Sequence, residues 1–125
     1  MGDRALRMKS LAELQAALRT FAEERDWDQF HSPKNLSIAL SVEASELLEH
    51  FQWCTEEQSR SLPAEEISAV SEEMADVLIY LARLSDKMNI DLLQAAERKI
   101  ELNAQKYPAE KVRGSSRKYT EWSSE

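Results

Sequence analysis

"LSVEASELLEHFQW", Leu40 to Trp53, is the stretch on which the fold turns. Its Leu, Val and Phe side chains read as the middle of a helix that must bury a face. Glu43, Glu46 and Glu49 stand among them. Residues three or four apart share a helix face, so Glu43 and Glu46 point the same way, and Trp53, two turns past Glu46, is expected on that side too. A buried, unpaired carboxylate is costly, so carboxylates beside a core require something positive among them.

Working outward, Leu11, Leu14, Leu18, Phe21 and Ala22 recur at steps of three and four and predict a first helix over residues 10–25. "RDWDQFHSPKN" breaks the period. Ser32 followed by Pro33 is a good N-cap and first-turn pair, so a second helix should start near residue 33 and run to about Trp53. "CTEEQSRSLP" reads as a polar connection, and Pro63 opens a third helix that stays periodic to about residue 88. Asp91 can cap a fourth, which ends before Pro108. Four helices with short links predict an all-α protein, an antiparallel four-helix bundle. Helices of this length often complete their cores by self-association.

Composition sets limits. The 125 residues suit one domain, read as 1–125 with an N-terminal extension over 1–9 and a polar tail over 108–125. With two glycines and three prolines, the chain favours helices over a turn-rich sheet protein. No apolar run approaches the ~20 residues of a membrane span. The N-terminus lacks a secretory h-region, so no membrane partner is expected and a cytoplasmic home is the default. "MGDRAL" begins like a myristoylation signal, but Leu6 stands where Ser or Thr is needed. Cys54 is the sole cysteine, with no partner for a disulfide or a zinc site. A net charge of −7 argues against nucleic-acid binding, which needs a basic surface.

In the third helix Glu73, Asp76 and Tyr80 fall at i, i+3 and i+7 and share a face beside the stripe of Met74, Val77 and Leu81. If this face meets that of Glu43 and Glu46, four carboxylates converge. Hard oxygen ligands without cysteine suit Mg²⁺, or Mn²⁺ in its place. Lys99, Asn103 and Lys106 fall at i, i+4 and i+7 in the fourth helix, two cations and an amide on one face. A magnesium cluster with a lysine stripe is what a triphosphate needs. Trp27, Phe30, Trp53 and Tyr80 could offer flat surfaces to a base. Each feature alone has an ordinary explanation. Glu-x-x-Glu pairs usually lie on solvated faces, aromatics at helical spacing are usually core, and a loop histidine such as His31 is usually a satisfied polar group. Their combination is what points to a site.

"VEASELLEHFQW" followed by "EEMADVLIYL" resembles the all-α nucleoside triphosphate pyrophosphatases of the MazG-like superfamily. Their mark is Glu-x-x-Glu, a spacer, then Glu-x-x-Asp, here Glu43, Glu46, Glu73 and Asp76. "RDWDQFHSPKNL", "FQW", "DVLIYL" and "KIELNAQKYP" are similar in order and spacing to the dCTP pyrophosphatase branch. The resemblance implies Mg²⁺ held by Glu43, Glu46, Glu73 and Asp76. It implies a base pocket using Trp27, His31, Trp53 and Tyr80, with Lys99 and Asn103 at nucleotide-contacting positions. It further implies hydrolysis of a nucleoside triphosphate between the α- and β-phosphates. Glu46 is the candidate base, Glu73 a catalytic metal ligand, and Lys99 the group that offsets leaving-group charge. Assembly as a homodimer or a homotetramer of two dimers, with sites built across subunits, is implied as well. Relatives favour dCTP and 5-modified dCTP, and others accept dATP, dUTP or damaged nucleotides. Two departures stand out: Ser45 where some relatives have Gly, and Leu18 where eukaryotic members have a histidine approaching the substrate.

Two other classes compete. A di-iron carboxylate bundle needs paired Glu-x-x-His motifs, but Leu47 stands three residues before His50. A noncatalytic helical protein that binds a nucleotide or a partner would carry the same carboxylates as surface charge.

Overall fold

The structure, a computed structural model, describes residues 7–116. Among these residues it is all-helical, without strands. The main helices are α1 (Leu11–Glu24), α2 (Pro33–Glu49), α4 (Ala64–Lys87) and α5 (Leu92–Lys106). Short helices α3 (Glu56–Ser59) and α6 (Ala109–Val112) and a 3₁₀ turn at Asp28–Phe30 complete the set. The chain divides between Ile90 and Asp91 into two compact units. No helix among the described residues is long and apolar enough to cross a membrane. Residues 117–125 of the expected tail and residues 1–6 of the expected extension lie outside the described residues; the tail's first part forms α6.

Local chemistry sets the helix starts. Ser10, Ser32 and Asp91 each accept a hydrogen bond from the backbone N–H three residues on, satisfying one of the first-turn donors left open by helix geometry. Pro33 occupies the first position of α2, where its missing N–H costs nothing. Thr55 and Gln58 form a capping box that turns part of the expected polar connection into α3.

Two helix ends share one device. Asp26 and Asn89 adopt left-handed backbone (φ 54° and 55°) just past α1 and α4. Trp27 N–H then bonds Ala22 C=O at 2.9 Å, and Ile90 N–H bonds Ser85 C=O at 2.9 Å, while Asp26 and Asn89 donate to Glu23 and Asp86. These are Schellman motifs built without glycine. The end of α2 differs. It stops at Glu49, short of the expected Trp53, because His50 and Phe51 switch to i→i−3 bonds onto Leu47 and Leu48 that tighten the chain out of α geometry.

In the first unit, α4 is the central element, with α2 and α1 both packed on it. Gln15 on α1 reaches Ser85 Oγ at 3.0 Å and Ala82 C=O at 3.3 Å, and Arg19 pairs with Asp86 at 2.9 Å. Among the described residues the buried apolar ones are few: Ala22, Leu36, Val70 and Ala82. Large apolar side chains stay exposed on α2 (Ile38, Val42, Leu48) and α4 (Ile67, Met74, Leu78).

The αL cap of α4 gives a direct test. Asn89→Ala should destabilise the protein by about 1 kcal/mol, the cost of a Cβ-bearing residue without the local hydrogen bonding of Asn, while Asn89→Gly should be neutral or stabilising. Urea unfolding midpoints of the two variants decide it.

Candidate functional site

The packing of α2 on α4 brings carboxylates face to face. Glu43 from α2 and Glu73 and Asp76 from α4 each offer one oxygen, and these oxygens lie within 4.8 Å of one another. All three residues are half-buried. Glu46, one turn after Glu43, is outside this closest trio but near enough to act on Glu43. Glu43 Oε2 and Glu73 Oε2 are buried, and no hydrogen-bond donor reaches either. Carboxylates offer only acceptors until one is protonated. Glu43 is pushed up from 4.5 to about 7, first by the adjoining Glu46 carboxyl, then by burial and by Glu73, with the charges of Glu46 and Asp76 adding to it. Two orphaned buried oxygens among clustered carboxylates are a donor set that a hard divalent cation fits.

Asp76 belongs to a second feature. A cavity of about 410 Å³ opens between α1, the 3₁₀ region and α4, lined by Leu14, Leu18, Phe21, Trp27, Ile79 and Tyr80, with His31, Asp76 and Arg83 as its polar groups. Asp76, Ile79, Tyr80 and Arg83 fall at i, i+3, i+4 and i+7 and so form one wall. The Schellman turn of α1 delivers Trp27, whose ring meets Phe21 edge to face at 5.8 Å between centroids, the apolar contact such turns commonly carry. Leu18, at the position where the resemblance puts a histidine, is part of the apolar wall.

His31 is held from one side. Arg83 Nε and Nη2 lie 3.3 and 3.1 Å from its Nδ1, and Nη2 also donates to Asp28 at 2.9 Å. Lys87 Nζ is 2.6 Å from the same Asp28 oxygen. Burial, followed by the positive charges of Arg83 and Lys87, lowers the His31 pKa below the ordinary imidazole value, against the opposing charge of Asp28. The Lys87 and Arg83 hydrogen bonds hold the Asp28 carboxyl below its ordinary range.

The structure thus gathers Trp27, His31, Tyr80 and Asp76 around one cavity and joins Glu43 and Glu73 to it through Asp76. Trp53 is not with them: it follows the end of α2 and is 88% exposed. Phe30 is also exposed and does not line the cavity. Lys99 and Asn103 are one turn apart on α5, in the second unit. Arg83, Asp28 and Lys87 were not singled out from the sequence. The available signal was an arginine inside the apolar run "LIYLARL", on the face of Asp76 and Tyr80.

The chain also has known relatives. The sequence profile of the MazG-like family matches residues 38–122, and the chain belongs to that family. It is 45% identical to the dCTP pyrophosphatase 1 of Mus musculus and 44% to that of Homo sapiens, in each case over 90% of this chain and 67% of the relative. Among solved structures it is similar to a pyrophosphatase from Archaeoglobus fulgidus DSM 4304, with a TM-score of 0.75 and 39% identity over 85% of this chain and 99% of that one.

The raised Glu43 pKa carries a sign. In the metal-free protein the folded state holds this proton more tightly than the unfolded chain does. That contribution is fully present below pH 4.5 and is lost as pH rises through about 7. A cation must displace the same proton. Mn²⁺ affinity should therefore rise as pH increases toward about 7 and level off above it, and Glu43→Gln should bind more weakly with that pH dependence removed. Titration calorimetry across pH, in buffers of differing ionisation enthalpy, measures both affinity and proton release.

Proposed function

We propose that this dCTP pyrophosphatase-like enzyme hydrolyses a deoxynucleoside triphosphate, dCTP or a 5-modified dCTP foremost, to the monophosphate and pyrophosphate. The observation that carries the reading is Asp76. It is at once a member of the carboxylate trio and part of the aromatic cavity wall, so a base in the cavity would have its phosphates at the acidic cluster. The named curated relatives are dCTP pyrophosphatases, and the similar solved structure is a pyrophosphatase.

Glu43, Glu46, Glu73 and Asp76 would hold Mg²⁺, with Mn²⁺ as a substitute. When bound, the ion supplies charge neutralisation and orientation of the phosphate oxygens. Trp27 and Tyr80 flank the base, and His31 meets its polar edge. Glu46 takes a proton from the water that attacks the α-phosphorus. The bond from that phosphorus to the bridging oxygen breaks, and pyrophosphate leaves with the electron pair. Lys99 offsets the charge that develops on it, and Asn103 contacts the nucleotide, as their match to family positions implies. The cytoplasmic task would be clearance of unwanted nucleotides.

The same reading takes the helices as one domain, an antiparallel bundle that is finished by self-association into a dimer or a dimer of dimers. The exposed stripes of α2 and α4 support it, since apolar faces such as Ile38 with Val42 and Met74 with Leu78 ordinarily meet a partner. Trp53, 88% exposed in one chain, would then be contributed across a subunit boundary.

Pyrophosphate release from the four dNTPs, dUTP and 5-methyl-dCTP, with and without Mg²⁺, tests the activity. Metal-dependent dCMP formation is expected, and Glu73→Gln should lower kcat by about 10²-fold or more, the scale for removing a group that acts on transition-state charge. No cleavage of any member would sink the catalytic reading in favour of a noncatalytic nucleotide-binding or partner-binding protein. Analytical ultracentrifugation tests assembly: the protein should sediment as a dimer or tetramer, and the pair Val42→Asp with Leu78→Asp should shift it toward monomer.

A further inference from the structure

The side chain of Arg83 is a buried cation that the hydrolytic reading leaves without a role; the residue is 3% exposed on a helix face that lines the cavity. Its nearest neighbours form an alternating chain of charge. Arg19 holds Asp86 at 2.9 Å, and Asp86 lies 3.9 Å from Arg83 Nη1. Arg83 Nη2 holds Asp28 at 2.9 Å, and Asp28 holds Lys87. Fixed on both flanks, the guanidinium directs Nε and Nη2 at a single atom, His31 Nδ1.

That contact decides which ring nitrogen carries the proton. A guanidinium has donors only and does not deprotonate in proteins. Nδ1 must therefore accept, through its lone pair. A neutral imidazole with a lone pair on Nδ1 carries its proton on Nε2. An Nδ1–H would point a donor at two donors, and an imidazolium would add a like charge against Arg83. Nε2–H is thus the group left for whatever enters the cavity that His31 and Arg83 line.

We propose that Arg83 is a positioning residue for base selection, holding His31 as the neutral Nε2–H tautomer so that the cavity presents a fixed donor to the carbonyl at position 2 of a pyrimidine. The inference rests on the nucleotide reading of the cavity. Cytosine and uracil both carry that carbonyl acceptor. Adenine carries no carbonyl, and its acceptors are ring nitrogens set at other positions, so a donor fixed for the position-2 carbonyl favours a pyrimidine over adenine and leaves cytosine and uracil to be told apart by other groups.

The test has two arms. In protein labelled with ¹⁵N-histidine, long-range ¹H–¹⁵N spectra at pH 7 report the tautomer of His31 directly, with no requirement for turnover. A neutral Nε2–H ring is expected, and its resonance should move on addition of dCMP and not of dAMP. An Nδ1–H ring or an imidazolium overturns the proposal, as does an equal response to both monophosphates. The second arm is kinetic, with Arg83→Met and Arg83→Lys. Loss of one oriented hydrogen bond should raise KM for dCTP by about tenfold in the Met variant with kcat little changed, and leave KM for dATP unaltered. Arg83→Lys, which keeps charge and a donor, should recover part of the loss. An equal rise for both nucleotides, or a fall in kcat alone, assigns Arg83 a merely structural role. If no triphosphate is cleaved, the hydrolytic reading fails by itself, and the monophosphate response still decides the proposal.

Discussion

Two buried carboxylate oxygens without a donor, one on Glu43 and one on Glu73, are the constraint on which the rest of this structure depends. A packed interior tolerates an ionised carboxylate only when a partner of opposite sign compensates it. In the metal-free protein the cluster meets the constraint by keeping a proton on Glu43 up to about pH 7. A divalent cation meets it better, since one ion answers several carboxylates at once. The helix pair α2 and α4 is therefore at once a packing unit and the frame of the candidate site. The same side-by-side arrangement that buries Leu36 and Val70 forces the acidic faces together.

A second set of charges works in the opposite sense. Around Arg83 each cation has its anion: Asp86 with Arg19 on one flank, Asp28 with Lys87 on the other. These groups are compensated within the chain and need no ligand, so their order is available to orient His31. The contrast separates two uses of buried charge in one helix. Glu73 in the middle of α4 has a buried oxygen without a donor, and Arg83, further along the same helix, is supplied with partners. Between them Tyr80 and Ile79 form the wall of the cavity.

Much of the fold was legible in single residues. Ser32 with Pro33 and Asp91 mark helix starts because capping is local chemistry, and the structure places the starts there. The register of Glu43 against Glu73 and Asp76 was legible because helical periodicity fixes which side chains share a face; their meeting needed only that α2 pack on α4. What was not legible depended on chain turns and distant partners. The end of α2 carries no glycine or proline, so its early stop and the separation of Trp53 from the cavity could not be read. Trp27 reaches the cavity through a left-handed Asp26, a conformation that aspartate permits but does not announce. Arg83 did not stand out because its partners, Asp28 and His31, lie more than fifty residues earlier.

The most direct measurement is a crystal structure with Mn²⁺ and a dCTP analogue whose α,β-bridging oxygen is replaced by imido nitrogen, collected so that manganese is located by anomalous scattering. The account predicts manganese among Glu43, Glu73 and Asp76, the α-phosphate against it, and the cytosine in the cavity beside Tyr80 and Trp27. Manganese elsewhere, or a nucleotide bound away from Asp76, would contradict it.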